Sequence, residues 1–385
     1  MSSGTMERIL RLMAEKKASD VYLTSYAPAM IKIHGQTIPI NSQVLPLDAP
    51  RNLLSEIVSP TRMEELVETG ELNMGVTLDG LGNFRISAFR QRATYSVVIR
   101  FVPSNIPRLN DINVSPILAD LVMEKRGLIL MVGSTGAGKS TTLAAMLDHR
   151  NENATGHILT IEDPIEYTYA NKKSVVNQRE IGSDTASLQV ALKNALRQAP
   201  DVILIGEIRD RDTMSAAIAY AQSGHLCLAT LHANNSYHAL NRILSFYPAE
   251  VRPTLLSDLS SALRAVVSQR LLRTETGSRV PAMEVMLNTA LVADLVHKGD
   301  FGGVREAMEK SLAEGSQTFE QDIARLIHEG IVSRAEGLSH ADSPNNLLWR
   351  LQNDFEASRA GELHVDTAED EDKATFTEFT LDVKF

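Results

Sequence analysis

Hydrophobic positions recur at helical spacing over residues 6–17, where Ile9, Leu10 and Met13 fall on one face. A period of two follows in Met30-Ile31-Lys32-Ile33-His34 and again in Asn83-Phe84-Arg85-Ile86-Ser87-Ala88-Phe89. Tyr95 to Val102 is rich in β-branched residues, and residues 48–70 return to helical spacing. These periods predict a small α+β domain over residues 1–102. Residues 103–116 hold three prolines and three asparagines among few apolar residues, the make-up of an interdomain linker. Short apolar strands then alternate with helices: strands at 127–132, 157–161, 202–205 and 226–230, helices at 139–150, 185–198 and 211–223. That order predicts an α/β domain, residues 117–357, on a largely parallel sheet covered by helices. From Tyr237 to Asn353 the spacing is mainly helical, so a helical C-terminal region is expected, followed by an acidic, disordered tail at 358–385.

Composition narrows the class. With 43% apolar and 22% charged residues, the chain has the balance of an ordinary globular protein. A single cysteine, Cys227, excludes an internal disulfide and a multi-cysteine zinc site, and a reducing cytoplasm is the expected compartment. No apolar run approaches the roughly 18–20 residues that span a bilayer. The net charge is −10, and residues 362–385 hold eight acids against Lys373 and Lys384. The remaining body is near neutral and carries no basic cluster, which disfavours a nucleic-acid partner.

The chemistry begins at Gly133-Ser134-Thr135-Gly136-Ala137-Gly138-Lys139-Ser140, followed by Thr141, a match to G-x-x-x-x-G-K-[ST]. Glycines let successive backbone N–H groups turn toward phosphate oxygens, and the N-terminus of the next helix favours an anion. Lys139 is placed to reach the β- and γ-phosphates, and Ser140 to ligate Mg²⁺. A buried-type strand before the loop and a helix after it supply the context that a chance match lacks. The site is read as one for a nucleoside triphosphate and Mg²⁺.

Two carboxylates and a histidine complete the candidate site. The strand at 202–205 leads into Gly206-Glu207, a Walker B arrangement in which Gly206 stands where an aspartate is usual, so Glu207 is the metal-side acid. Asp201 lies at the wrong end of that strand. The strand at 157–161 leads into Glu162-Asp163-Pro164-Ile165-Glu166, which makes Glu162 the candidate base for the attacking water. Asp163 reads equally as a turn former, and Glu166 as a solvated acid. His225 and His232 frame the strand at 226–230, and fit a γ-phosphate sensor and ordinary hydrogen-bonded strand ends equally well.

Taken together, these segments resemble the bacterial type II/IV secretion ATPases, in their twitching-motility branch. The matching stretches are the phosphate loop, the acidic box Ile158 to Glu166, Gln178 to Gly182, Leu196 to Asp210, and Gly224 to Asn234. The resemblance implies a homohexameric motor with a PAS-like N-terminal domain and a RecA-like P-loop ATPase domain, which makes the nucleotide ATP. It implies that Glu162 activates water, that Glu207 is the Walker B acid and that His232 contacts the γ-phosphate region. It also implies that two N-terminal-domain arginines, Arg85 and Arg100, act across the nucleotide. Assembly-type relatives carry a four-cysteine zinc site, which this chain lacks. PilT-type retraction motors carry Ala-Ile-Arg-Asn-Leu, where this chain has Leu291-Val292-Ala293-Asp294-Leu295. That departure, with Leu287-Asn288-Thr289, the stretch His340 to Asn345 and the acidic extension, resembles the PilU-type branch of the retraction motors. The partners so implied are a second, PilT-like retraction ATPase and an inner-membrane pilus platform protein, at the membrane base of the pilus machine.

Overall fold

The computed structural model describes residues 4–33, 36–78, 81–102, 105–310 and 313–362, with side chains as far as Asn353. Helix α1 (Thr5–Glu15) opens the chain and buries Met6, Leu10 and Met13, leaving Ile9 half-buried. Strands β1 (Asp20–Thr24), β2 (Pro28–Ile33) and β3 (Gln36–Val44) follow, then helices α2 (Ala49–Ser55) and α3 (Pro60–Thr69). Pro60 sits in the first turn of α3, where its missing N–H costs nothing, and so the helical spacing of 48–70 resolves into two helices. Strands β4 (Glu71–Leu78), β5 (Gly82–Gln91) and β6 (Thr94–Val102) complete a six-stranded sheet in the order β3-β2-β1-β6-β5-β4. Every pairing in it is antiparallel. Alternation along β5 is the signature of its half-buried state: Phe84, Ile86 and Ala88 face the core, while Arg85 and Ser87 face outward.

Residues 105–108 have no regular structure, and a single 3₁₀ turn at Leu109–Asp111 buries Leu109 before α4 (Ile117–Met123). The second half then unfolds in order as β7 (Gly127–Val132), α5 (Lys139–Asn153), β8 (Gly156–Glu162), β9 (Ser174–Glu180), α6 (Leu188–Ala195) and β10 (Val202–Ile205). Helix α7 (Arg211–Gln222), β11 (Leu226–Leu231), α8 (Ser236–Ser245) and α9 (Arg252–Ala262) come next. Seven strands form one sheet, ordered β13-β12-β7-β11-β10-β8-β9, in which β12 (Leu263–Arg273) lies parallel to β7 and β13 (Arg279–Leu287) antiparallel to β12. The other four pairings are parallel. Both faces are covered. Leu128, Leu130 and Val132 of β7 pack with α7, α8 and α9, while Ile129 and Met131 pack with α4 and α5. This two-sided burial is why β7 reads as a continuous apolar run.

The structure corrects three expectations. The region after Tyr237 is not mainly helical throughout, because β12 and β13 occupy Leu263–Leu287 apart from their turn. The helix expected at 185–198 begins at Leu188, with Ser187 capping it, and ends in a 3₁₀ turn. The helical region is α10 (Ala290–Lys298), α11 (Phe301–Glu309), α12 (Phe319–His328), α13 (Arg334–His340) and α14 (Pro344–Glu362). Helix α14 carries the chain through 358–362, where the sequence predicts a disordered tail; the rest of that segment, 363–385, lies outside the described residues. Among the described residues, no helix is long and apolar enough to cross a membrane.

Candidate functional site

Parallel pairing brings the carboxyl ends of β7, β8, β10 and β11 to one edge, the place where open α/β sheets bind ligands. The loop after β7 runs into α5, whose N-cap is Gly138 at φ 86°. The positive φ favours glycine there, and a Cβ at Gly138 would lie 2.7 Å from the Gln269 side-chain nitrogen and displace that amide. The Lys139 ammonium donates to the Gly133 carbonyl at 2.8 Å and the Ser134 carbonyl at 2.9 Å. Burial lowers its pKa, opposed by the charges of Glu207 and Glu166. An anion in the loop therefore meets a lysine that is already desolvated and held beside it.

Thr135, Gly136, Lys139 and Ser140 line a cavity of about 520 Å³ that Glu162, Glu207 and His232 also line. Glu162 is the last residue of β8, and one oxygen accepts from the Thr160 hydroxyl at 2.6 Å and from the Gln178 amide at 3.4 Å. Burial pushes its carboxyl up, an effect that these hydrogen bonds moderate. Glu207 sits two residues beyond β10, with one oxygen 3.2 Å from His232 Nε2 and the other paired to Arg209 at 2.6 Å. The glycine before it has a steric cause: a Cβ at Gly206 would lie 3.1 Å from the Ile161 carbonyl and 3.2 Å from Glu162 Cα. A side chain there would require the end of β8 to give by a few tenths of an ångström.

The two histidines separate. His232 follows β11 directly and enters the cavity, while His225 precedes it at the opposite edge, near Ser223 Oγ at 3.1 Å. Asp201 is also at that far edge, accepting from the His157 backbone N–H at 2.8 Å. The Thr141 hydroxyl shares a 2.8 Å hydrogen bond with Tyr167 and does not line the cavity.

The arginines are placed differently from the rest. Arg85 Nη2 lies 3.0 Å from Glu166 Oε1 and 3.3 Å from the Pro164 carbonyl, so it reaches the acidic box rather than the phosphate loop. Arg100 pairs with Asp20 at 2.9 Å. Both line a second cavity of about 440 Å³ bounded by Asp163, Pro164 and Glu180, and neither lines the first. Within one chain they do not stand across the nucleotide.

Two residues that no motif singles out belong to the site. Arg209 lines the cavity and shares Glu207. Gln269 of β12 donates to the Ala137 carbonyl and accepts from the Thr142 hydroxyl, both at 2.8 Å, bracing the phosphate loop from beneath. A hydroxyl (Ser140) and a carboxylate (Glu207) facing one cavity form the hard-oxygen donor set that Mg²⁺ takes with phosphate oxygens and water.

The chain matches the family described as type II/IV secretion system protein over residues 4–333. A relative from Pseudomonas aeruginosa named type IV pilus ATPase PilU is 45% identical over 347 residues, spanning 90% of this chain and 91% of that one. The type IV pilus retraction ATPase PilT of the same species is 35% identical, over 88% of this chain and 98% of its own. Among solved structures, the pilus retraction motor PilT with bound ADP superposes with a TM-score of 0.83 at 34% identity, covering 89% of this chain and 98% of that one. Motif, fold and likeness agree: the chain belongs to the type II/IV secretion system protein family.

Proposed function

We propose that this protein is an ATP-hydrolysing motor of type IV pilus retraction, of the PilU type. It works as a homohexamer beside a PilT-like ATPase, against a platform protein at the cytoplasmic face of the inner membrane, and takes no nucleic acid. The observation that carries the enzymatic part is the convergence of Lys139, Ser140, Glu162, Glu207 and His232 on one cavity at the sheet's carboxyl edge.

The loop N–H groups and Lys139 hold the β- and γ-phosphates of ATP. Ser140 and Glu207 would hold Mg²⁺, which neutralises charge developing on the phosphate oxygens. Glu162 accepts a proton from the attacking water as the γ-phosphorus–oxygen bond to ADP breaks, giving ADP and phosphate. Its raised pKa, caused by burial, strengthens it as a base. His232, held against Glu207, faces the γ-phosphate region. Arg85 and Arg100 act on a nucleotide bound by a neighbouring subunit.

Two substitutions separate binding from chemistry. Lys139→Ala is expected to lose both nucleotide binding and turnover. Glu162→Gln is expected to bind ATP normally and lose about 10²–10⁴-fold in turnover. Nucleotide titration and steady-state hydrolysis read the two effects, and equal loss of affinity in both variants would rule out the base role for Glu162.

A further inference from the structure

The segment His340 to Asn345 has no part in the chemistry above, yet its aspartate is tied to the loop that carries His232. Beyond His232 the chain makes a short turn into α8, and Asn235 caps that helix by accepting from the His238 N–H at 2.9 Å. The other end of the Asn235 amide donates to Asp342 Oδ2 at 2.7 Å. Arg270 of β12 donates to the second Asp342 oxygen, to the His340 carbonyl and, at 3.1 Å, to the Asn234 carbonyl. Its guanidinium is stacked 3.9 Å from the centre of the buried Phe319 ring in α12. The Arg270 and Asp342 side chains are only 19% and 20% exposed, so their geometry is fixed by packing rather than averaged by solvent. The Asp342 turn is itself anchored, since Glu320 of α12 accepts from the Ser343 N–H at 2.7 Å.

We infer that Asp342 is a positioning residue for His232. Its two oxygens divide between Asn235 on the histidine loop and Arg270 on the sheet, so the helical layer α12–α14 holds the loop in the register that sets His232 against Glu207. The P-loop takes no part in this linkage. Loss of the latch therefore acts on the catalytic step and leaves nucleotide affinity alone, because a small misplacement of a group acting in the transition state lowers turnover steeply. The inference rests on the role proposed above for His232. It adds that the C-terminal helices bias hydrolysis through a defined pair of side chains.

The test is a double-mutant cycle on the full chain, measured as kcat and KM for ATP. Asp342→Ala is expected to lower kcat about tenfold with KM within about twofold of the parent. In a His232→Ala background it should add nothing further. Asp342→Asn loses one of its two acceptors and should fall between. Combining it with Asn235→Asp reverses the hydrogen bond while keeping the α8 cap, and should restore kcat to within about twofold. Additive effects of Asp342→Ala and His232→Ala, parallel changes in KM and kcat, or no rescue by the swapped pair would each overturn the inference. An unchanged kcat in His232→Ala alone would remove the role of His232 and the latch with it, a signature distinct from additivity.

Discussion

Glu162 carries a conflict between stability and chemistry that a single titration exposes. Its carboxyl is pushed up mainly by burial, while the Thr160 hydroxyl and the Gln178 amide moderate the shift. The unfolded chain releases this proton in the ordinary glutamate range, near pH 4.3. The folded chain keeps it to higher pH, so its contribution to stability is complete below that range and is lost as pH rises through the raised pKa. The ionised form is therefore held in the folded chain at a cost. Glu162→Gln removes that cost and keeps an acceptor for Thr160, so the nucleotide-free variant should melt above the parent at pH 7–8. The gap should narrow as the pH is lowered toward 5, and calorimetry across that range reads it directly. A variant melting at or below the parent at pH 7.5 would show that the buried charge is compensated by contacts a glutamine cannot make. Turnover of the parent should fall on the acid side as Glu162 regains its proton, above the pH at which a free glutamate would.

Strand β12 shows which kind of element the sequence hides. β7, β8, β10 and β11 are legible because each is short, apolar and followed at once by loop residues with chemistry in them. The phosphate loop, Glu162, Glu207 and His232 can be placed for the same reason, as each lies at or directly beyond a strand's end. In β12, Leu263 to Gln269 is almost wholly buried on both faces, so no alternation survives to distinguish strand from helix. β13 adds Pro281 within its run, which reads against a strand, although an edge position tolerates it. β9 escapes notice because an edge strand rich in polar residues has little hydrophobic pattern at all. With β12 hidden, Gln269 is hidden too: its partners Ala137 and Thr142 are more than a hundred residues away. Gln269 is 2% exposed. Gln269→Met keeps most of its volume but leaves the Ala137 carbonyl and Thr142 hydroxyl without partners, at about 1–3 kcal/mol each. Denaturant unfolding should show a loss of about 2–6 kcal/mol, and nucleotide affinity should weaken as the loop loses its brace. An unchanged stability would mean that the loop re-forms those bonds elsewhere.

At the scale of the whole molecule, a retraction motor must pass the result of hydrolysis to something outside the nucleotide cavity. The N-terminal sheet meets the loop after β8 through Arg85 on Glu166 and through Asn83, which donates to the Thr168 hydroxyl at 2.6 Å, so the acidic box is in direct contact with that sheet. Helix α10 offers the other outlet. The PilT-type stretch that this helix resembles carries an arginine; in this chain Ala293 stands in its place, with Asp294 next to it. Asp294 is neutralised by Lys298 at 2.6 Å, one turn along the same exposed face, and Leu291 beside it is 58% exposed. If that arginine takes part in coupling the ATPase ring to retraction, an apolar residue beside a paired acid does not replace it. The proposed motor should therefore hydrolyse ATP on its own yet couple weakly to the pilus, with a neighbouring PilT ring making the contact it lacks. Expression in cells without PilT, with retraction recorded under load, is expected to show little movement. Adding a hydrolysis-dead PilT should restore it, because the force then comes from this chain and the grip from its partner. Robust retraction without any PilT would place the coupling elsewhere in the molecule and leave α10 with no part in it.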